Sequence, residues 1–219
     1  METLRLSTPR TARLVCTGQL DKETKVVWLA CHGYGMRIDS FARSFSVLPK
    51  GHIALCPEGL SRFYWGGFVG EPVASWMTKA ERLQEIDDFC TWLDQVYALA
   101  RSKAPQVKFV LFGFSQGAAT IMRWMNVARP QYEALVLWSG TPPEDIDYSP
   151  RAYYSEEKLY SLWGDSDELV AWKRAKQRYD EVPLSFQHQN FEGGHSIVGS
   201  LLAELAEQIS KQLMLSSAD

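Results

Sequence analysis

The sequence predicts an α/β protein: one three-layered domain over residues 1–219, with a mainly parallel central sheet and helices on both faces. Three observations carry that expectation. Short apolar, β-branched runs recur along the chain, and segments of helical composition separate most of them. The 219 residues are 46% hydrophobic and 22% charged, which suits a single sizeable core.

The candidate strands, in order, are residues 12–16 (ARLVC), 26–31 (VVWLAC), 52–56 (HIALC), 108–112 (KFVLF), 134–139 (ALVLWS), 158–163 (KLYSLW) and 184–189 (LSFQHQ). Continuous apolar runs of this length fit strands covered on both faces. Between residues 79 and 98, Leu83, Ile86, Cys90, Leu93 and Tyr97 recur at gaps of three and four, while Lys79, Glu81, Glu85, Asp88 and Asp94 take other faces. That is the spacing of an amphipathic helix. Residues 118–128 (AATIMRWMNVA) read as a helix ending before Pro130, and another is expected to begin near Glu168. Leu201, Leu205, Ile209 and Leu213 step by four, leaving Glu204, Glu207 and Lys211 for solvent. Strands alternating with helices imply right-handed crossovers. Two stretches leave this rhythm. Residues 57–76 and 141–157 combine prolines, glycines and aromatics after strand carboxyl ends, where parallel sheets place their crevices. They are the expected pocket walls.

Composition narrows the function. A net charge of −3 without any basic cluster gives a phosphate backbone no electrostatic attraction, so no nucleic-acid partner is expected. The amino terminus lacks a secretory apolar core, and no stretch approaches the roughly 20 apolar residues of a membrane span. No stable membrane insertion is expected, and the chain reads as cytoplasmic, a monomer or homodimer. Cys16, Cys31, Cys56 and Cys90 sit in apolar runs with no Cys-x-x-Cys spacing. They are expected to be reduced core thiols, with a Cys31–Cys56 bridge between neighbouring strands as the alternative. Neither a metal nor a cofactor is called for.

The chemistry concentrates around LFGFSQGAA, residues 111–119. A serine on a sharp strand-to-helix turn needs neighbours without a Cβ, which Gly113 and Gly117 provide around Ser115. A neutral hydroxyl is a poor nucleophile, so it requires an imidazole base held by a carboxylate. In the strand–elbow–helix version of this chemistry the acid follows the serine and the base follows the acid. Of four histidines, His32 precedes the serine, while His52 and His188 lie in strand patterns. His195 remains, in FEGGHSIV (191–198), where Gly193 and Gly194 make a turn. The acid lies in LWGDSDELV (162–170): Asp167 is preferred, Asp165 is the runner-up, and helix capping would explain either without catalysis. Backbone donors for a developing oxyanion are expected from Gln116, at the start of a helix, and Tyr34, between the glycines of HGYG (32–35). Phe63, Tyr64, Trp65, Phe68 and Trp76 are candidates to line an apolar cleft, the alternative being that they pack their loop against the core.

Together, CHGYG, CPEG, GFSQGAA, WSG, GDSDELV and GGHSI resemble the phospholipase/carboxylesterase branch of the α/β-hydrolases, which includes acyl-protein thioesterases and small bacterial carboxylesterases. The likeness runs from about residue 25 to 214. It implies Ser115 as nucleophile, Asp167 as acid, His195 as base, and Tyr34 and Gln116 as oxyanion donors. It also implies that Trp76 lies near the acyl pocket. Family members often carry Asp after the His-Gly-x-Gly loop; this chain has Met36. The expectation is therefore a serine hydrolase that cleaves a small carboxylic ester, thioester or lysophospholipid without a cofactor. The competing readings are a peptidase or other acyl hydrolase on the same fold, and a binding protein that has lost turnover.

Overall fold

Val26–Cys31 (β2) is buried along its whole length, so every second side chain must find apolar cover on each side. Val27, Leu29 and Cys31 join one core cluster, whereas Val26, Trp28 and Ala30 join another. This division sets the three layers. The computed structural model describes residues 2–149, 151–155 and 158–215. Both ends of the predicted domain, and Pro150, Glu156 and Glu157 of the second excursion, lie outside the described residues.

Beside β2 run His52–Pro57 (β3) and Lys108–Phe114 (β6), followed outward by Ala134–Trp138 (β7), Leu159–Gly164 (β8) and Gln187–Phe191 (β9). Leu14–Cys16 (β1) adds an edge. The order is β1-β3-β2-β6-β7-β8-β9, with β1 antiparallel to β3 and the other pairings parallel. On one face, Phe89 and Leu93 of Arg82–Lys103 (α2) and Ile121 and Trp124 of Gln116–Ala128 (α3) fill the first cluster. On the other, Phe41 of Ile38–Arg43 (α1) and Leu202 and Ile209 of Gly199–Leu215 (α5) fill the second. The result is a three-layer α/β domain with a mainly parallel central sheet and helices on both faces.

Several expectations need correction. The last strand lies at 187–191, not 184–189. Leu184 and Phe186 supply the apolar alternation, but they pack into the core, Phe186 against Tyr179, while a polar edge strand carries the ladder. Leu83 is exposed because the buried stripe of α2 runs through Phe89, Cys90, Leu93, Val96 and Ala100. Cys16 is exposed on the edge strand and is no core thiol; all four cysteines are free, which excludes a Cys31–Cys56 bridge. The helix expected near Glu168 begins later, as Trp172–Glu181 (α4).

The first excursion, 57–76, contains an unforeseen hairpin. Ser61–Tyr64 (β4) pairs antiparallel with Pro72–Ser75 (β5). Ala74 also bridges to Met36, which joins the hairpin to the loop after β2. The second excursion is strapped down. Asp145 receives the buried Arg123 guanidinium and Arg82, and Arg178 donates to the Pro142 and Pro143 carbonyls.

Candidate active site

Ser115 stands between β6 and α3 at φ 53°, in the left-handed region that costs a side chain about 1–3 kcal/mol. Its N–H donates to the Trp138 carbonyl at 2.9 Å, so β7 holds the strained turn in place. The flanking glycines have a steric purpose. A Cβ on Gly117 would collide with the Cys31 carbonyl of β2, and one on Gly113 would lie 2.5 Å from the Ala118 Cα. Helix α3 can start directly against the sheet only because both are absent.

His195 reaches the same edge from the loop after β9. Its ring packs on Phe114, the residue before the serine, with centroids 5.0 Å apart. The Trp138 indole N–H donates to the Ser196 carbonyl at 2.9 Å. One tryptophan thus anchors the chain at both Ser115 and Ser196. The imidazole Nδ1 lies 2.7 Å from Asp167 Oδ2, and the Asp167 side chain has no exposed surface. A buried carboxylate needs its lone pairs satisfied. Asp167 Oδ1 accepts from the Leu169 and Val170 N–H groups, each at 3.0 Å. Capping and histidine contact, posed as rivals in the sequence, are made by the two oxygens of one side chain. Asp165 instead accepts from the Asn190 amide. Glu168 adds a contact the sequence reading did not anticipate, accepting the His195 backbone N–H at 3.2 Å.

The loop at 32–36 is fixed from three sides. Gly35 N–H donates to the Ala74 carbonyl, Ala74 N–H donates to the Met36 carbonyl, and the Trp76 indole donates to the His32 carbonyl. His32 is fully buried. Its Nε2 accepts from Gly59 N–H at 2.9 Å, so the proton resides on Nδ1, 2.7 Å from the Gly33 carbonyl. Binding that carbonyl orients the planar 33–34 peptide, whose N–H belongs to Tyr34. Gly33 in turn lies over the serine: a Cβ there would stand 3.2 Å from the Ser115 Cβ. Gln116 opens α3, where the first N–H groups lack helical partners. Its side chain accepts from Trp76 N–H and donates to the Met77 carbonyl, tying the helix start to the end of β5. His32 was set aside in the sequence because it precedes the serine; its partner Gly59 is too distant along the chain to suggest the contact.

Burial pushes the His32 pKa down to about 4. The neutral form is therefore the folded form, while the unfolded chain binds a proton below about 6.5. Stability is complete above that pH and falls as pH drops toward 4. The loss is about 3 kcal/mol at its limit, taking 1.36 kcal/mol per pKa unit. Urea unfolding at pH 7 and pH 4 will show this decrease, and His32→Asn, whose amide does not titrate, will show a smaller one.

The predicted pocket residues separate. Trp76 is 1% exposed and packs on His32 and Phe89, so it supports the loop from within the core and lines no open cleft. Phe68 is 97% exposed at the hairpin tip and lines none either; an added Cβ at its neighbours Gly66 and Gly67 would meet only open space. Tyr64 is exposed beside it. Phe63 and Trp65 do converge on the site, through contacts with Tyr34.

A parallel sheet with a serine elbow after its central strand, and a histidine–carboxylate pair on the same edge, defines an α/β-hydrolase of the serine type. The chain belongs to the serine hydrolase (FSH1) family, whose model matches residues 58–198. Solved structures of similar fold include acyl-protein thioesterase 2 from Zea mays, 20% identical over 93% of this chain and 100% of that one, with a TM-score of 0.67. The Bacillus cereus carboxylesterase is 13% identical over 91% and 94%, with a TM-score of 0.63. A phospholipase/carboxylesterase from Dyadobacter fermentans is 15% identical over 93% and 98%, with a TM-score of 0.62. At these identities the likeness is one of fold. No curated protein matches the chain. Among the described residues no helix is long and apolar enough to cross a membrane.

Proposed function

We propose that this serine hydrolase is a cytoplasmic esterase, built as one domain, acting on small carboxylic esters or thioesters. Ser115 is the nucleophile, His195 the base and Asp167 the residue that orients it. The observation that carries the reading is the 2.7 Å contact between His195 Nδ1 and a fully buried Asp167 carboxylate, set beside the Ser115 elbow. The names of the fold neighbours, a thioesterase and two carboxylesterases, favour an ester or thioester over an amide.

In this reading Ser115 Oγ attacks the acyl carbonyl while His195 Nε2 takes its proton. The oxygen that becomes negative is met by the Tyr34 and Gln116 N–H groups, each such donor contributing roughly 3–4 kcal/mol to the barrier reduction. His195 then protonates the departing alkoxide or thiolate, leaving an acyl-serine. In the second half, water gives a proton to His195 and attacks the acyl carbon, and His195 passes that proton to Ser115 Oγ as the acyl–oxygen bond breaks and the acid product leaves.

The test is treatment of the wild-type chain with a fluorophosphonate during hydrolysis of p-nitrophenyl acetate. Inactivation should parallel formation of one adduct per chain, mapped by mass spectrometry to the peptide bearing Ser115. An adduct elsewhere, or hydrolysis that persists after Ser115 is modified, would discard the assignment.

A further inference from the structure

The hairpin β4–β5 spends apolar side chains on the surface beside the oxyanion loop. Tyr34 is 47% exposed and Trp65 67% exposed. With Phe63 they form a triangle of rings, centroids 5.3 Å apart for Tyr34–Phe63 and 5.5 Å for each of the other two pairs. The planes are tilted by 35° to 68°, so the cluster offers faces and edges in several directions. Trp65 also lies on the oxyanion loop itself. A Cβ on Gly35, held at φ 67°, would fall 2.9 Å from the Trp65 ring. Glycine at 35 is what lets an indole settle there.

This triangle is in fixed register with both proposed oxyanion donors. The loop carrying Tyr34 is stitched to β5 by the Gly35–Ala74 and Ala74–Met36 hydrogen bonds. Gln116 is fastened to the end of β5 through Trp76 N–H. A carbonyl polarised by the Tyr34 N–H lies within one side chain's length of the Tyr34 ring, and therefore of the triangle. Exposed apolar patches of this kind mark binding surfaces.

We propose that Tyr34, Phe63 and Trp65 form a recognition platform for an aromatic ring joined through one methylene to the acyl or the alcohol side of the scissile ester, making such arylmethyl-bearing esters the preferred substrate class. The proposal rests on the esterase reading above. A saturated chain gains only area on an open platform that covers one side of it. A flat ring gains stacking and edge contacts as well, worth about 0.5–1.5 kcal/mol beyond area, or roughly 2- to 10-fold in kcat/KM.

The ring can enter on either side of the ester, and two isomers separate the cases. Methyl phenylacetate carries it on the acyl side and benzyl acetate on the alcohol side. Each is compared with its cyclohexyl counterpart, methyl cyclohexylacetate or cyclohexylmethyl acetate, with p-nitrophenyl acetate and fluorophosphonate labelling run in parallel. At least one phenyl ester should exceed its cyclohexyl partner several-fold in kcat/KM. That ratio should fall to near one in Trp65→Leu and be largely restored in Trp65→Phe. Equal rates for phenyl and cyclohexyl in both pairs, a ratio unchanged in Trp65→Leu, or hydrolysis of p-nitrophenyl acetate alone would overturn the platform. Absence of both Ser115 labelling and all hydrolysis would instead remove the esterase reading, and the platform with it.

Discussion

Replacing Ser115 with alanine should lower kcat for p-nitrophenyl acetate by about a million-fold, the scale seen when the nucleophile of a serine–histidine unit is removed. His195→Ala should cost about as much, and the double variant little more than either. Groups that act in one proton relay lose their joint contribution when any one is deleted, so the effects do not add. Alanine keeps a Cβ at φ 53° and leaves the elbow as strained as before, so Ser115→Ala should unfold at the wild-type temperature. Ser115→Gly removes that Cβ and should gain about 1–2 kcal/mol of stability while remaining inactive. Steady-state kinetics and thermal melts on the four proteins check both parts. Additive losses, or residual activity within tenfold of wild type in Ser115→Ala, would show that the two residues do not work as a unit.

The elements legible in the sequence are those whose burial dictates their composition. β2, β6, β7 and β8 are covered on both faces, which makes them largely apolar runs interrupted only by Lys108 at the start of β6 and the buried Ser161 in β8. The elbow was legible because steric crowding at Gly113 and Gly117 leaves a sequence trace. The hairpin was not. Its strands have four residues each and lie either side of a glycine-rich tip, with an exposed face that breaks any apolar pattern. β9 was placed too early, by three residues at its start and two at its end, because the apolar residues near it serve the core and not the ladder. The role of His32 depends on Gly59, and the role of Asp145 on Arg123 and Arg82. Such long-range polar contacts have no periodicity to announce them.

The start of α4 shows how one side chain misled and informed at once. A carboxylate before an apolar stretch reads as a helix N-cap, which placed the helix near Glu168. Asp167 does cap, but it caps a turn through Leu169 and Val170, and α4 begins only at Trp172. That turn fixes one carboxylate oxygen on backbone donors and leaves the other for His195.

The same division of labour sets the result expected for Asp167→Asn. The position now held by Oδ1 faces two N–H donors and must remain an acceptor, so the new amide oxygen takes it and the NH2 group turns to His195. An amide donates where the carboxylate accepted. Nδ1 must then accept, which moves the imidazole proton to Nε2, the nitrogen that should receive the proton of Ser115. Geometry is retained and the tautomer is wrong. A loss of about 10⁴-fold in kcat at pH 7–8 is expected, with little change in KM or in melting temperature. Asp165→Asn is the internal control, since Asp165 bonds Asn190 and not the imidazole, and its kcat should stay within about twofold of wild type. Equal kinetic effects from the two substitutions would mean that the buried carboxylate only folds the turn, and that the orientation of His195 comes from elsewhere.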